Sequence, residues 1–165
     1  MLPDRLARDD FSSEVRALEG RIALVDMPRL ASLLLDTAGS VWLRIEARLD
    51  LAGRRFLEGE IQAQLALTCQ RCLSTYHHSV DERFRVAVVA SDDEEVERLP
   101  QEQEAFVTST DDCVSLAHFA EEELLLLLPV TPRHLEGACA APESDVTLTP
   151  QERSPFAVLK GRFGP

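Results

Sequence analysis

Hydrophobic positions along the chain change period several times, and each change predicts an element. From Val41 to Asp50 apolar and polar residues alternate strictly: Val41, Leu43, Ile45, Ala47 and Leu49 against Trp42, Arg44, Glu46, Arg48 and Asp50. A period of two is that of a half-buried strand. Gly53 marks a turn. Alternation then resumes with Leu57, Ile61, Ala63, Leu65 and Leu67 inward, and Glu58, Glu60, Gln62 and Gln64 outward. A third alternating run carries Tyr76, His78, Val80, Phe84, Val86 and Val88 on one face. These three runs predict long antiparallel strands joined by short turns.

Helical spacing appears twice. Pro28 suits a first helical turn, and Leu30, Leu33 and Leu34 give residues 28–36 one apolar face before Gly39. Leu116, Ala120, Leu124, Leu127 and Leu128 form a second stripe. Asp111 or Asp112 is the expected cap, Pro129 the stop, and Glu121, Glu122 and Glu123 are expected to face partly outward. Arg21 to Val25 and Glu104 to Thr108 read as short strands. The fold class is α+β: a long antiparallel β-sheet, its closure towards a barrel left open by the pattern, packed with two main helices.

The length of 165 residues suits one domain, 1–165. Residues 91–104 read as an acidic loop and 150–165 as an extended C-terminal tail. Hydrophobic residues make up 45% of the chain, which argues against disorder as a whole. The longest leucine run, Leu124 to Leu128, is far short of the roughly 20 residues that span a bilayer. A soluble cytoplasmic protein without membrane attachment is the expectation.

Charge is uneven. Residues 1–90 hold 13 acids and 12 bases, net −1; residues 91–112 hold 9 acids and one base, net −8; residues 113–165 hold 7 acids and 4 bases, net −3, giving −12 in all. Such a balance favours a basic protein partner over a phosphate backbone at long range, although a local arginine patch can override the mean.

Candidate chemistry concentrates in Cys69-Gln70-Arg71-Cys72, at the end of the second long strand, with His134 and Cys139 downstream. A Cys-x-x-Cys turn puts two thiolates within reach of one tetrahedral ion, Cys139 offers a third ligand and His134 a fourth, so one structural zinc is a direct reading. Ordinary reduced cysteines beside a turn are a second reading. A thiol–disulfide oxidoreductase is a third, weakened because strand alternation, not a helix, resumes after Cys72. His77 or His78 could replace His134. Cys113 reads as a bystander. Asp92, Asp93, Glu94 and Glu95 suggest a metal-dependent nuclease only if a run that reads as a solvated loop holds a cation. The polar strand faces carry few aromatics that could stack nucleobases, as an RNA-reading sheet requires; Trp42 and Phe56 are the strong candidates, and each suits the covering of a hydrophobic edge equally well.

Several segments together resemble one family. They are Leu67-Thr68-Cys69-Gln70-Arg71-Cys72 after an alternating strand, Glu121-Glu122-Glu123-Leu124 to Pro129 running into Pro132, His134 and Cys139, and the terminal Pro155-Phe156-Ala157-Val158-Leu159. Their order and spacing resemble the YceD family, the large ribosomal RNA subunit accumulation proteins, over about residues 15–162. The resemblance implies a cytoplasmic bacterial factor that supports 23S rRNA accumulation or processing; a non-enzymatic assembly factor is the leading reading, with the metal-dependent nuclease and the thiol–disulfide oxidoreductase as alternatives. It carries over no catalytic residue. The chain departs from members that have further cysteines beyond Cys139. The implied partner is a large-subunit precursor or a basic ribosomal or rRNA-processing protein. Phe156, Val158 and Leu159 would be the apolar anchor of the docking tail and Lys160 its cationic end.

Overall fold

A computed structural model describes residues 2–13, 17–89, 99, 104–108 and 113–139. The strands are β1 (Arg5–Leu6), β2 (Ala17–Ala23), β3 (Ser40–Leu49), β4 (Arg55–Thr68), β5 (Thr75–Val89), β6 (Ala105–Val107) and β7 (Val114–Ser115). Among the described residues the helices are α1 (Pro28–Ala31) and α2 (Leu116–Leu127). The architecture is α+β and mostly strand. One curled five-stranded sheet has the order β2-β3-β4-β5-β6, and β1 pairs with β7 beside it. The pairs within the sheet are antiparallel up to β5, and β6 joins β5 in parallel, Ala87 opposite Ala105.

The alternation in β3 and β4 translates directly into burial. Val41, Leu43, Ile45, Leu57, Ile61 and Leu65 are all fully buried, and α2 adds Leu116, Phe119, Ala120 and Leu124 to the same core. Burying each of these larger side chains stabilises the fold by about 1.5–3 kcal/mol. Phe119 sits edge-on to Phe84 at 5.0 Å and to Phe106 at 5.3 Å, which locks the helix onto the sheet. Gly59 lies between Ile45 and Phe84 in the register. A Cβ there would overlap the Arg44 carbonyl and stand 2.9 Å from the Phe84 ring.

Five expectations are corrected. The strand expected at Arg21 to Val25 is β2, Ala17–Ala23, and a 3-10 turn covers Leu24–Asp26. The helix expected over 28–36 stops at Ala31, because the chain turns to bond β4: the Leu35 amide donates to the Ala66 carbonyl at 2.8 Å. The cap of α2 is Ser115, whose hydroxyl accepts from the His118 amide; the chain before it, at Val114, is paired as strand. Leu49, expected inward, is exposed at the strand end. Glu121, expected partly outward, is buried.

Its burial has a structural cause. A Glu121 carboxylate oxygen accepts from the amides of Arg29 at 2.7 Å and Leu30 at 3.1 Å. These are among the orphan donors at the start of α1, where Pro28 has no N–H. Arg29 also pairs with Glu122 through its guanidinium. The two helices are thereby joined by charge-assisted bonds.

Candidate metal centre

The β4–β5 hairpin aligns Thr68 with Thr75, so residues 69–74 form its tip. The Cys69 amide donates to the Ser74 carbonyl and the Leu73 amide to the Cys69 carbonyl, both at 2.9 Å. Leu73 takes the left-handed conformation, φ 61°, that such a tight return requires. The strand that leads into the tip buries Cys69, while Cys72 is half-buried.

Beyond α2 the chain passes through Pro129 and runs back along this tip. The Gln70 amide donates to the Pro132 carbonyl at 2.9 Å and fixes the approach. His134 and Cys139 then face the two hairpin cysteines. The ligand atoms of Cys69, Cys72, His134 and Cys139 all lie within 4.8 Å of one another. Cys69 Sγ is 3.7 Å from Cys139 Sγ, and Cys72 Sγ is 3.5 Å from His134 Nδ1. A tetrahedral zinc with ordinary bond lengths would separate two sulfurs by about 3.8 Å and a sulfur from a nitrogen by about 3.6 Å. The two measured separations fit that ion. They do not fit a disulfide, whose sulfurs lie about 2.05 Å apart.

The second nitrogen of the histidine is also placed. His134 Nε2 lies 3.0 Å from the Thr75 carbonyl, so this nitrogen carries the proton and Nδ1 keeps its lone pair for the cysteine side. The Tyr76 ring meets the imidazole edge-on at 5.6 Å. Sequence reasoning missed this supporting set, because its acceptors are the backbone carbonyls of Thr75 and Pro132, which leave no side-chain signature.

Electrostatics sharpen the fit. The Cys72 backbone amide pulls the Cys69 thiol down to about 5, helped by the amides of His134 and Arg71. The Ser74 hydroxyl lowers Cys72. Cys139 is pushed up to about 11, chiefly by its bond to Cys72, and His134 is raised, chiefly by its bond to Cys69. Three thiolates repel one another in so small a volume, so Cys139 is held up as a thiol while Cys69 and Cys72 come down. A divalent ion would displace the Cys139 proton. The low value at Cys69 does not make it a useful nucleophile, because it has no solvent-exposed surface. A strand, β5, follows the motif, so the helix N-terminus of a redox dithiol is missing.

The other candidates take ordinary places. His78 Nε2 lies 3.1 Å from the Leu127 carbonyl at the end of α2, and His77 is exposed. Cys113 is half-buried ahead of β7. Glu58 pairs with Arg48 and Arg85, and Glu60 with Arg83. Asp92, Asp93, Glu94 and Glu95, and the tail residues Phe156, Val158, Leu159 and Lys160, lie outside the described residues. No helix among the described residues is long and apolar enough to cross a membrane.

Fold and site together define a strand-dominated α+β protein whose hairpin tip and post-helical segment meet at a Cys3His cluster. The family model described as large ribosomal RNA subunit accumulation protein YceD matches residues 57–161, from β4 through the cluster and into the tail. The chain belongs to the YceD family. It is similar to a Haemophilus influenzae protein of that name, with 27% identity over 162 residues, covering 93% of this chain and 92% of the relative. No solved structure matches.

Proposed function

We propose that this chain is a non-enzymatic factor in ribosome synthesis, supporting the accumulation or processing of 23S rRNA, and that Cys69, Cys72, His134 and Cys139 hold one structural zinc. The name of the Haemophilus relative supports the link to large-subunit rRNA accumulation. The observation that carries the zinc is that ligand atoms of four residues lie within 4.8 Å of one another, the number a structural zinc takes with no position left for substrate. In this reading the metal pins the segment after α2 to the hairpin tip. The partner is a large-subunit precursor, or a basic ribosomal or rRNA-processing protein drawn by the net charge of −12. Phe156, Val158, Leu159 and Lys160 provide a docking tail.

The test has two parts. Protein purified without added metal should contain about one zinc per chain, and the Cys69→Ser and Cys139→Ser variants should contain almost none. The protein should also co-sediment with large-subunit precursors at low salt and dissociate as salt rises. Equal, negligible metal in all three proteins would remove the zinc. Sedimentation as free protein at low salt would remove the ribosomal role.

A further inference from the structure

The outward face of the sheet carries a second concave surface that shares no residue with the cysteine cluster. The register sets Arg21, Trp42, Gln62 and Asp81 side by side across β2, β3, β4 and β5. Two residues along, Ser40 and Gln64 continue the same face. These six side chains line a groove of about 740 Å³. Its polar groups are held in position: Gln62 Nε2 donates to Asp81 at 3.0 Å, Gln64 Nε2 donates to the Ser79 hydroxyl at 2.8 Å, and Arg21 donates to the Ser40 hydroxyl at 3.3 Å.

Trp42 is the only tryptophan in the chain, and it lies half-buried in the middle of this polar row. Phe56, the other outward aromatic, is covered: it is 4% exposed beneath the guanidinium groups of Arg54 and Arg85, at 5.9 and 4.9 Å. The indole therefore stands as a flat apolar platform flanked by amide, hydroxyl, carboxylate and guanidinium groups on rigid strands. That combination suits a planar, neutral ligand with mixed donors and acceptors on its edges, which describes a nucleobase. The groove's own charges, Arg21 and Asp81, cancel. A basic peptide would need an acidic groove.

We propose that this groove contacts single-stranded RNA directly. A base stacks on Trp42, Gln62, Gln64 and Asp81 meet its edge, and Arg21 meets an adjacent phosphate. The choice of RNA rests on the ribosomal role proposed above, but the groove does not depend on the metal.

The single tryptophan makes the test direct on the full chain. A short mixed-sequence single-stranded RNA should quench the intrinsic emission, and the same sequence as a duplex should not. With fluorescently labelled RNA, Trp42→Ala should weaken binding about 5- to 150-fold, the loss of one stacked base. Gln62→Ala, on an exposed position, should weaken it without lowering the melting temperature. Each phosphate contact should contribute about −0.7 to the logarithmic salt slope. Unchanged emission, equal binding by Trp42→Ala, or quenching by an oligolysine peptide in place of RNA would overturn the inference. If the wild type still co-sediments with large-subunit precursors while RNA leaves Trp42 unquenched, the ribosomal role stands and only the RNA contact falls. If the wild type fails to co-sediment, the role itself falls.

Discussion

Replacing Glu121 by Ala removes the two hydrogen bonds by which its carboxylate ties α2 to the start of α1. The carboxylate accepts from the amides of Arg29 and Leu30, at 2.7 and 3.1 Å, and the residue is 3% exposed. A hydrogen bond to a charged group contributes about 1.5–3 kcal/mol, and a buried donor left without a partner costs its desolvation. The Leu30 amide is buried and keeps the full cost; the Arg29 amide is part-buried and recovers some of it from water. The expected loss for Glu121→Ala is therefore about 3–4 kcal/mol. Glu121→Gln keeps an acceptor but loses the charge, and should cost about 1–2 kcal/mol. For a chain of this size each kcal/mol lowers the melting temperature by about 2–4 °C, so Ala should melt about 6–16 °C below the wild type. Urea unfolding checks it independently: the midpoint should fall with little change in slope. A loss under about 0.5 kcal/mol for Ala, or a Gln variant as unstable as Ala, would refute the capping role. The Arg29–Glu122 pair is exposed, and Glu122→Gln should cost under about 1 kcal/mol.

Further outcomes follow from other positions. Gly59→Val should destabilise the sheet by more than about 3 kcal/mol, or prevent soluble expression, because the β3 carbonyl at Arg44 occupies the space its side chain needs. Burial, with the Glu104 and Glu122 carboxylates nearby, raises Glu123 to about 7 from an ordinary 4.5. Between those values the folded state holds the proton more tightly than the unfolded chain, so this residue makes stability fall as pH rises from about 4.5 to about 7 and then level off. Melts from pH 4.5 to 8 should show the stability of Glu123→Gln relative to the wild type rising through that window and levelling off above about 7, and an unchanged difference at all pH values would refute the shift. In the metal reading, His134→Ala should lower zinc affinity by at least about tenfold while His77→Ala leaves it unchanged, measured by competition with a chromogenic chelator. Chelation should loosen residues 128–139 and the hairpin tip in hydrogen exchange, while the core amides of β3 and β4 stay protected.

Much of this architecture is legible in the sequence because alternation is a local property. Val41 to Leu67 declares which side chains face the core, and a period of two permits only one assignment of faces. The position of Cys69 and Cys72 at a hairpin tip follows from the same count. The early part of the chain was less legible. Leu30, Leu33 and Leu34 have helical spacing, yet only Pro28–Ala31 is helical, because the Leu35 amide finds a better acceptor in β4. Ala17–Ala23 alternates in burial, but only Leu18 and Ile22 mark its inner face, with Gly20 between them, and pairing with β3 completes it as a strand.

The sequence by itself determined the long strands, the hairpin and the identity of the four candidate ligands. Each of these is written in neighbouring residues and their chemical types. Only the tertiary structure decided that His134 and Cys139 come within ligand distance of a turn 62 residues and more upstream. It also turned Glu121 inward to cap α1, and set Trp42 in a row with Arg21, Gln62 and Asp81. Those placements depend on how the sheet curls and where the chain returns after α2, which are consequences of burial over the whole core and have no local signal.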